Sequence, residues 1–286
     1  MRRTELFYRL VTAALFIPSL IYIAWAGGIY WLALIELGIG CMAYEFFKIL
    51  EKRGLSPYKS LGIIAAMMLG LNSYFHSYIF TFITPTALIF VVSVAELLRK
   101  EIKDPIAHIS TTLFGVVYTG WLMSHLILLM QMPQVVTHHE YYNIFGIKIR
   151  NGTSFALLPF VLTWTNDTGA FFIGRKFGKR KFLPRVSPKK TWEGVFGGAG
   201  CTLVASFIYR YVYAPYLSTG DCIVLSLLVA ILAPLGDLVE SIIKRDVNLK
   251  DASSTIPGHG GVLDRFDSLL FTTPAIYYYL RFFAAR

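Results

Sequence analysis

Residues 241–267 read Ser-Ile-Ile-Lys-Arg-Asp-Val-Asn-Leu-Lys-Asp-Ala-Ser-Ser-Thr-Ile-Pro-Gly-His-Gly-Gly-Val-Leu-Asp-Arg-Phe-Asp. This stretch is dense in charged side chains, yet long apolar segments flank it on both sides. Ionisable groups beside a lipid bilayer are costly to keep and usually mark function. We therefore expect a membrane fold that holds this polar stretch next to the bilayer.

The composition of the whole chain also favours a membrane protein. Hydrophobic residues make up 55% of the 286 residues and charged residues only 15%, with a mean hydropathy of +0.56. Soluble domains carry about a quarter charged residues, so a soluble fold is disfavoured. The three cysteines have no metal-binding spacing, and we interpret them as small apolar residues.

About nine apolar runs are long enough to cross a bilayer, which takes about 20 helical residues. They fall at roughly 8–27, 29–49, 60–77, 79–97, 108–131, 154–174, 193–213, 221–243 and 267–284. The sequence thus predicts an all-α, polytopic integral membrane protein. We divide it into an N-terminal membrane region, 1–150, of about five helices and a C-terminal catalytic membrane region, 151–286, of about four helices with cytoplasmic loops.

The basic residues predict the orientation of the chain. If the N-terminus is cytoplasmic, most of the 27 lysines and arginines fall in cytoplasmic segments, as the positive-inside rule requires. Topology then explains the net charge of +10, and no nucleic-acid partner is expected.

Four polar side chains share one helical face near the end of the eighth apolar run. At 100° per residue they fall within an arc of about 100°. They are Asp237, Glu240, Ser241 and Lys244. A polar stripe this deep favours a metal-binding carboxylate at the floor of a cytoplasm-facing cavity. The alternative is a charge-neutralised stripe that packs two helices together.

The last loop combines glycines with carboxylates. Glycines at 260 and 261 let the backbone turn tightly and approach a ligand. Asp264 and Asp267 are candidate ligands of a hard divalent ion, which takes carboxylate and phosphate oxygens. The alternative is that both residues only stabilise the start of the last helix.

His259 lies among these glycines and has no histidine or cysteine at zinc spacing. We expect it to contact phosphate or to order the loop rather than to act as a general base.

A second polar block follows the sixth apolar run. Ser187-Pro188 predicts a helix start, with a hydroxyl at the N-cap and proline in the first turn. Lys189 and Lys190 would then lie in that first turn, where a bound polyanion would offset their unfavourable charge. For the basic run 175–181, phosphate binding and contact with anionic lipid head groups remain equal alternatives.

Both blocks resemble the bacterial phosphatidate cytidylyltransferases (CDP-diacylglycerol synthases). The first pattern is matched by Ser241, Lys244, Arg245, Lys250, Asp251, His259, Gly260, Gly261, Asp264, Arg265 and Asp267. The second, Ser-Pro-Lys-Lys-Thr-x-Glu-Gly, is matched by residues 187–194. Phe171 departs from the family, which commonly has tyrosine there. In the first 150 residues Tyr44-Glu45 is a weak landmark, and Glu36, within the second run, is unexplained.

The resemblance implies the reaction CTP + phosphatidate → CDP-diacylglycerol + pyrophosphate in the bacterial inner (plasma) membrane. Magnesium is the expected cofactor, with a second metal ion left open, and a homodimer is one candidate assembly.

The site residues form three overlapping sets. The expected catalytic residues are Asp237, Asp264, Lys244, Arg245, Arg265 and His259. The expected substrate-binding residues are Ser187, Lys189, Lys190, Thr191, Glu193, Lys250, Asp251, Gly260, Gly261 and Asp167. The expected metal ligands are Asp237 and Asp264, with Asp267 and Glu240 of second rank.

Two other functions stay open on the residues alone. A CTP-dependent membrane lipid kinase would use the same groups but release CDP instead of pyrophosphate. An ion-coupled transporter would bind cations at Asp167 and Asp237 within its spans. The transporter is disfavoured because the ionisable residues are concentrated on one side and the chain has no inverted repeat.

Overall fold

A computed structural model of the chain describes residues 3–100, 103–132, 141–144, 147–253, 255 and 260–284. The chain is built mainly of helices. They are α1 (Arg3–Ala26), α2 (Gly28–Lys52), α3 (Lys59–Phe75), α4 (Tyr78–Leu97), α5 (Pro105–Gly115), α6 (Leu122–Met130), α7 (Asn151–Phe177), α8 (Trp192–Val212), α9 (Thr219–Asp246) and α10 (Leu263–Tyr279). A π-helical turn, Val116–Trp121, joins α5 to α6, and another, Leu280–Ala284, extends α10.

The all-α membrane class predicted from the sequence is confirmed. Within the described residues, four helical segments are long and apolar enough to cross a membrane: Ile79–Leu97, Pro105–Met130, Trp192–Val212 and Thr219–Asp246. The other five predicted spans coincide with α1, α2, α3, α7 and α10. Nine membrane crossings and a cytoplasmic N-terminus remain predictions. A short turn joins α3 to α4, with His76 in the left-handed region at φ 51°.

In the part of the chain that the structure describes, two short antiparallel hairpins interrupt the helices. Strands β1 (Tyr141–Ile144) and β2 (Ile147–Arg150) form the first, and β3 (Lys181–Leu183) and β4 (Ser187–Thr191) form the second. The second hairpin leads directly into α8 and carries part of the polar block predicted to bind phosphate.

The chain forms two compact units. One consists of Met1–Ser19, Gly28–Ile127 and Ile243–Arg265, and the other of Leu20–Gly27, Leu128–Ile242 and Phe266–Arg286. Each unit draws on both halves of the sequence. The predicted regions 1–150 and 151–286 were divided by their expected roles, and that division stays a prediction about function.

The core of the first unit is centred on α2. Trp31, Ile35, Phe46 and Phe47 are fully or almost fully buried. Buried apolar residues recur along α2 at three- and four-residue intervals, which gives the helix one continuous apolar face. The indole nitrogen of Trp31 donates to the carbonyl of Leu126 at 2.9 Å, so the polar atom of this buried ring is satisfied.

In the second unit α7 packs closely along α8. Buried hydroxyl and amide groups link its helices. The Asn166 amide donates to Thr202 Oγ1 at 3.1 Å, and the hydroxyls of Thr163 and Thr272 lie 2.8 Å apart. The Tyr209 hydroxyl donates to the carbonyl of Ser154. These bonds let helices with small and polar residues pack without leaving those polar groups unpaired.

Candidate active site

The hairpin before α8 corrects the helix start predicted at Ser187-Pro188. Residues Ser187–Thr191 form strand β4, and α8 begins at Trp192. Thr191, in extended conformation, is the N-cap, and its hydroxyl accepts the N–H of Gly194 at 3.2 Å. The prediction failed because Thr191 with Glu193 behind it provides a second capping signal, and a proline also fits a short edge strand. Lys189 and Lys190 therefore lie in a strand.

Glu193 organises the basic segment that precedes the hairpin. Its carboxylate accepts the backbone N–H of Lys179 at 3.1 Å and that of Arg180 at 3.1 and 3.2 Å. A carboxylate in the first turn of α8 is also favoured by the helix dipole. Glu193 thus holds the Lys179–Arg180 backbone against the start of α8, and its substrate-binding role stays a prediction.

Lys190 connects the hairpin to α9. Its Nζ lies 2.8 Å from Oδ2 of Asp237 and donates to the carbonyl of Pro234 at 3.1 Å. Ser241, one turn along α9, donates its hydroxyl to the other oxygen of Asp237 at 3.2 Å. The Asp237 side chain keeps 36% of its surface exposed. The structure thus brings together three of the predicted polar residues from the two sequence blocks.

Asp237 also lies close to α10 within the same unit. A β-carbon on Gly236 would be 2.6 Å from the carbonyl oxygen of Asp267, so this glycine allows the two backbones to approach. The carboxylate of Asp267 accepts the N–H of Ser268 at 2.6 Å. Glu240, the remaining second-rank metal candidate, is fully buried.

Asp264 lies at the centre of the last loop, in the first unit. Its Oδ1 accepts from Lys244 Nζ at 2.6 Å, and its Oδ2 accepts the N–H groups of Ala252 at 2.9 Å and Gly261 at 2.7 Å. The Lys244 and Asp264 side chains are 11% and 4% exposed. Asp264 is therefore buried against a cation and two backbone donors.

Gly260 is required by this arrangement twice over. Its φ of 85° lies in the left-handed region that side chains disfavour, and a β-carbon there would be 2.7 Å from Oδ2 of Asp264. Gly260 thus permits a close approach to a carboxylate of the chain itself, and the predicted approach of these glycines to a ligand stays a prediction.

The remaining predicted residues that the structure describes in this stretch are solvent-exposed. Arg245 donates to the carbonyl of Leu249 at 3.0 Å, and its neighbours along the loop carry exposed charges. The exposed predicted residues here are Arg245, Lys250, Asp251 and Arg265, and in α7 also Asp167. His259 lies outside the described residues.

The predicted carboxylates differ in how well their surroundings suit a divalent ion. Among the described residues, no group of three or more His, Cys, Asp or Glu side chains converges as a metal site. Asp237 fits a magnesium ligand, because its oxygens are partly exposed and face an ammonium group that a cation can replace. Asp264 has suitable oxygens as well, but they are bonded to N–H donors, so a metal would have to exchange with Lys244.

Sequence reasoning gave little weight to one residue that the structure places at the last loop. Glu45 of α2 is 2% exposed, and its carboxylate accepts hydrogen bonds from Ser253, Val262 and Leu263. A single Tyr-Glu pair some 200 residues upstream carries no periodic signal that links it to this loop. Only the folded chain reveals the contact.

These features define a helical membrane protein whose polar loops pair carboxylates with lysines. The chain belongs to the cytidylyltransferase family, whose sequence profile matches residues 7–283. It is 32% identical to a phosphatidate cytidylyltransferase of Synechocystis, over 95% of each chain. It is 30% identical to the uncharacterised protein YnbB of Escherichia coli, over 90% of this chain and 85% of that one. It is 44% identical to a Haemophilus influenzae phosphatidate cytidylyltransferase, over 51% of this chain and 49% of the relative.

Proposed function

We propose that this protein is a phosphatidate cytidylyltransferase, which converts CTP and phosphatidate into CDP-diacylglycerol and pyrophosphate. The observation that carries the proposal is the family match over residues 7–283, which includes both polar blocks. The relative that is aligned over 95% of each chain bears the same activity in its name. The membrane helices suit a substrate with two acyl chains, because such a lipid presents its phosphate at the bilayer surface.

The proposed chemistry is an in-line displacement without a covalent enzyme intermediate. An oxygen of the phosphatidate phosphate attacks the α-phosphorus of CTP, and the bond from that phosphorus to the bridging oxygen breaks as pyrophosphate leaves. Little proton transfer is needed, since the nucleophile is anionic at neutral pH. The protein therefore contributes mainly orientation and charge stabilisation.

The lysines and arginines of the two blocks would supply that charge. The ammonium group of Lys190 contacts the carboxylate of Asp237 and the carbonyl oxygen of Pro234. Lys189 is exposed in the same strand. We assign both lysines to the CTP phosphates, with the Ser187 and Thr191 backbone as their support. The remaining cations, proposed for the α-phosphate and the leaving pyrophosphate, are Lys244, Arg245, Arg265 and Lys250.

Asp237 and Asp264 are the carboxylates that we propose as magnesium ligands, with Asp267 and Glu240 of second rank. When bound, the ion would neutralise phosphate charge and orient the displacement. Asp237 has the exposure that a ligand needs, whereas Asp264 holds Lys244. The proposal thus gives Lys244 two partners in turn, the Asp264 carboxylate and a phosphate group.

For the cellular setting we propose the bacterial inner membrane, with a cytoplasmic N-terminus and the two polar blocks on the cytoplasmic face. CTP is a cytoplasmic nucleotide, so a site on that face agrees with the distribution of basic residues. A homodimer and a second metal ion remain predictions without further support.

One assay tests this function against the alternatives. Purified protein is incubated with phosphatidate vesicles, magnesium and each radiolabelled nucleoside triphosphate, and the lipid phase is assayed for label. Labelled CDP-diacylglycerol and released pyrophosphate are expected with CTP alone among the ribonucleotides. Release of CDP with phosphorylation of a lipid alcohol, such as diacylglycerol added to the vesicles, would indicate a kinase. Solute uptake by sealed vesicles without nucleotide would indicate a transporter.

A further inference from the structure

Glu45 is a buried carboxylate that the proposed reaction does not use directly. Its Oε1 accepts from the Ser253 hydroxyl at 2.6 Å and from the N–H of Val262 at 3.1 Å, while Oε2 accepts the N–H of Leu263 at 2.8 Å. The side chain is 2% exposed. These three donors are neutral and come from one segment more than 200 positions away in the sequence.

The position of these donors explains why a charge is tolerated there. Val262 and Leu263 stand at the start of α10, where the first N–H groups of a helix have no partner inside the helix. A negative charge at this end is also favoured by the helix dipole. Glu45 therefore caps α10 from another helix, in place of a side chain of the loop itself.

Two carboxylates accept hydrogen bonds from consecutive backbone N–H groups of the last loop. The N–H of Gly261 binds Asp264, and the N–H groups of Val262 and Leu263 bind Glu45. A β-carbon at Gly261 would lie 2.5 Å from Oε2 of Glu45, so the backbone wraps closely around this carboxylate. Three consecutive backbone donors are thus committed within the chain and are not available to a phosphate, although helix N-termini often bind one.

We propose that Glu45 is a positioning residue for the cytidylyl transfer. It fixes the turn at Val262 and Leu263 and thereby the adjoining Asp264, which holds Lys244. It touches neither substrate. The inference rests on the proposed function, because it assigns Asp264 and Lys244 to that reaction. It also gives the N-terminal region a part in the site, through a residue of α2.

The test compares Glu45→Gln with a matched control on the same helix, Glu36→Gln. Glu36 is also buried, at 7% exposure, and among the described residues neither of its carboxylate oxygens has a hydrogen-bond partner. Glutamine at position 45 keeps the volume but directs an NH₂ group at a backbone N–H. We expect kcat of Glu45→Gln to fall by about 10- to 100-fold while KM for CTP and phosphatidate changes less than about threefold, since misplacement impairs orientation more than binding. Glu36→Gln should stay within about twofold of the unsubstituted protein in each constant.

Amide hydrogen exchange provides a second readout that does not depend on activity. The Val262 and Leu263 amides should exchange faster in Glu45→Gln and at the original rate in Glu36→Gln. If the unsubstituted protein formed no liponucleotide, the proposed function would fail, and the exchange rates would still show whether Glu45 holds this turn. Unchanged exchange would remove the contact itself and with it the inference.

The kinetic outcomes are equally decisive. A kcat for Glu45→Gln within twofold of the unsubstituted enzyme, or an equal fall in Glu36→Gln, would overturn the positioning role. If Glu45→Gln did not fold, Ser253→Ala would take its place, because it removes one donor and leaves α2 intact. It should lower kcat by about 3- to 10-fold at an unchanged unfolding temperature. An unchanged kcat in Ser253→Ala would then contradict the proposal.

Discussion

Lys244 and Asp264 form a buried ion pair across the last loop, with Nζ 2.6 Å from Oδ1. Asp264 is bonded in addition to the N–H groups of Ala252 and Gly261, so the pair fixes both ends of the described part of the loop. Asp237, the other carboxylate proposed for magnesium, pairs with Lys190 at 2.8 Å but stays 36% exposed. The two aspartates should therefore respond differently to the same substitution.

Asp264→Asn should abolish turnover and also lower the unfolding temperature of the purified protein. The reason is that it breaks the buried ion pair between Lys244 and Asp264, at a cost of about 3–5 kcal/mol. Asp237→Asn should abolish turnover with little effect on stability, because its ion pair is partly exposed and solvent screening keeps its contribution near about 1 kcal/mol. Activity and thermal unfolding are measured on both variants. Near-normal turnover in either one would contradict its assignment as a magnesium ligand.

Lys190→Ala should raise the KM for CTP more than the KM for phosphatidate. The effect should exceed that of Lys189→Ala, because Lys190 alone of the two is directed at Asp237 and the Pro234 carbonyl. Steady-state kinetics with each substrate varied in turn measure the difference. A larger effect on phosphatidate would assign these lysines to the lipid head group instead.

Gly260→Ala should reduce both stability and turnover. The new β-carbon would lie 2.7 Å from Asp264 Oδ2, in addition to the backbone strain at φ 85°, which by itself costs about 1–3 kcal/mol. Gly54→Ala is the matched control, since Gly54 has the same φ and no described heavy atom within 4 Å of the added carbon. Gly54→Ala should carry the strain without the loss of turnover. Equal losses of activity in the two variants would show that contact with Asp264 is irrelevant.

Thr191→Val should destabilise the start of α8 by about 1 kcal/mol, because it removes the hydroxyl that accepts the Gly194 N–H. Ser187→Ala should not have this effect, since Ser187 lies in strand β4 and caps no helix. Thermal unfolding of both variants, compared at one detergent concentration, measures the difference. If Ser187→Ala were the more destabilising, the sequence-based helix start would be restored.

The hydrophobic pattern was sufficient to predict the helices, because apolar runs of span length leave few alternatives to a membrane helix. The capping signals that mark the start of a helix were less reliable. Ser187-Pro188 and Thr191 both fit a cap, and the pairing of β3 with β4 decided between them. That pairing depends on backbone bonds between segments, which side-chain preferences do not encode.

The candidate site was predictable in its composition and not in its pairings. Residue types and spacing identified Asp237, Asp264 and the lysines, but which lysine pairs with which aspartate depends on tertiary packing. The contact of Glu45 with the last loop joins residues more than 200 positions apart, so no local sequence pattern predicts it. The contact depends on how the folded chain packs α2 against this loop.

The last prediction concerns topology, which the described structure leaves as a hypothesis. A cysteine introduced at Lys179 should be labelled by a membrane-impermeant thiol reagent only when the cytoplasmic face is accessible, and one introduced at Arg150 only from the outside. The physical reason is the bias of lysine and arginine toward cytoplasmic loops. The three native cysteines, of which Cys41 and Cys201 are half-buried and Cys222 is buried, are first replaced by alanine or serine to remove background. Labelling is compared in intact cells and in inverted vesicles. If the cysteine at position 179 reacted in intact cells, the polar blocks would face away from the cytoplasm, where CTP is not supplied, and the proposed site would lose its substrate.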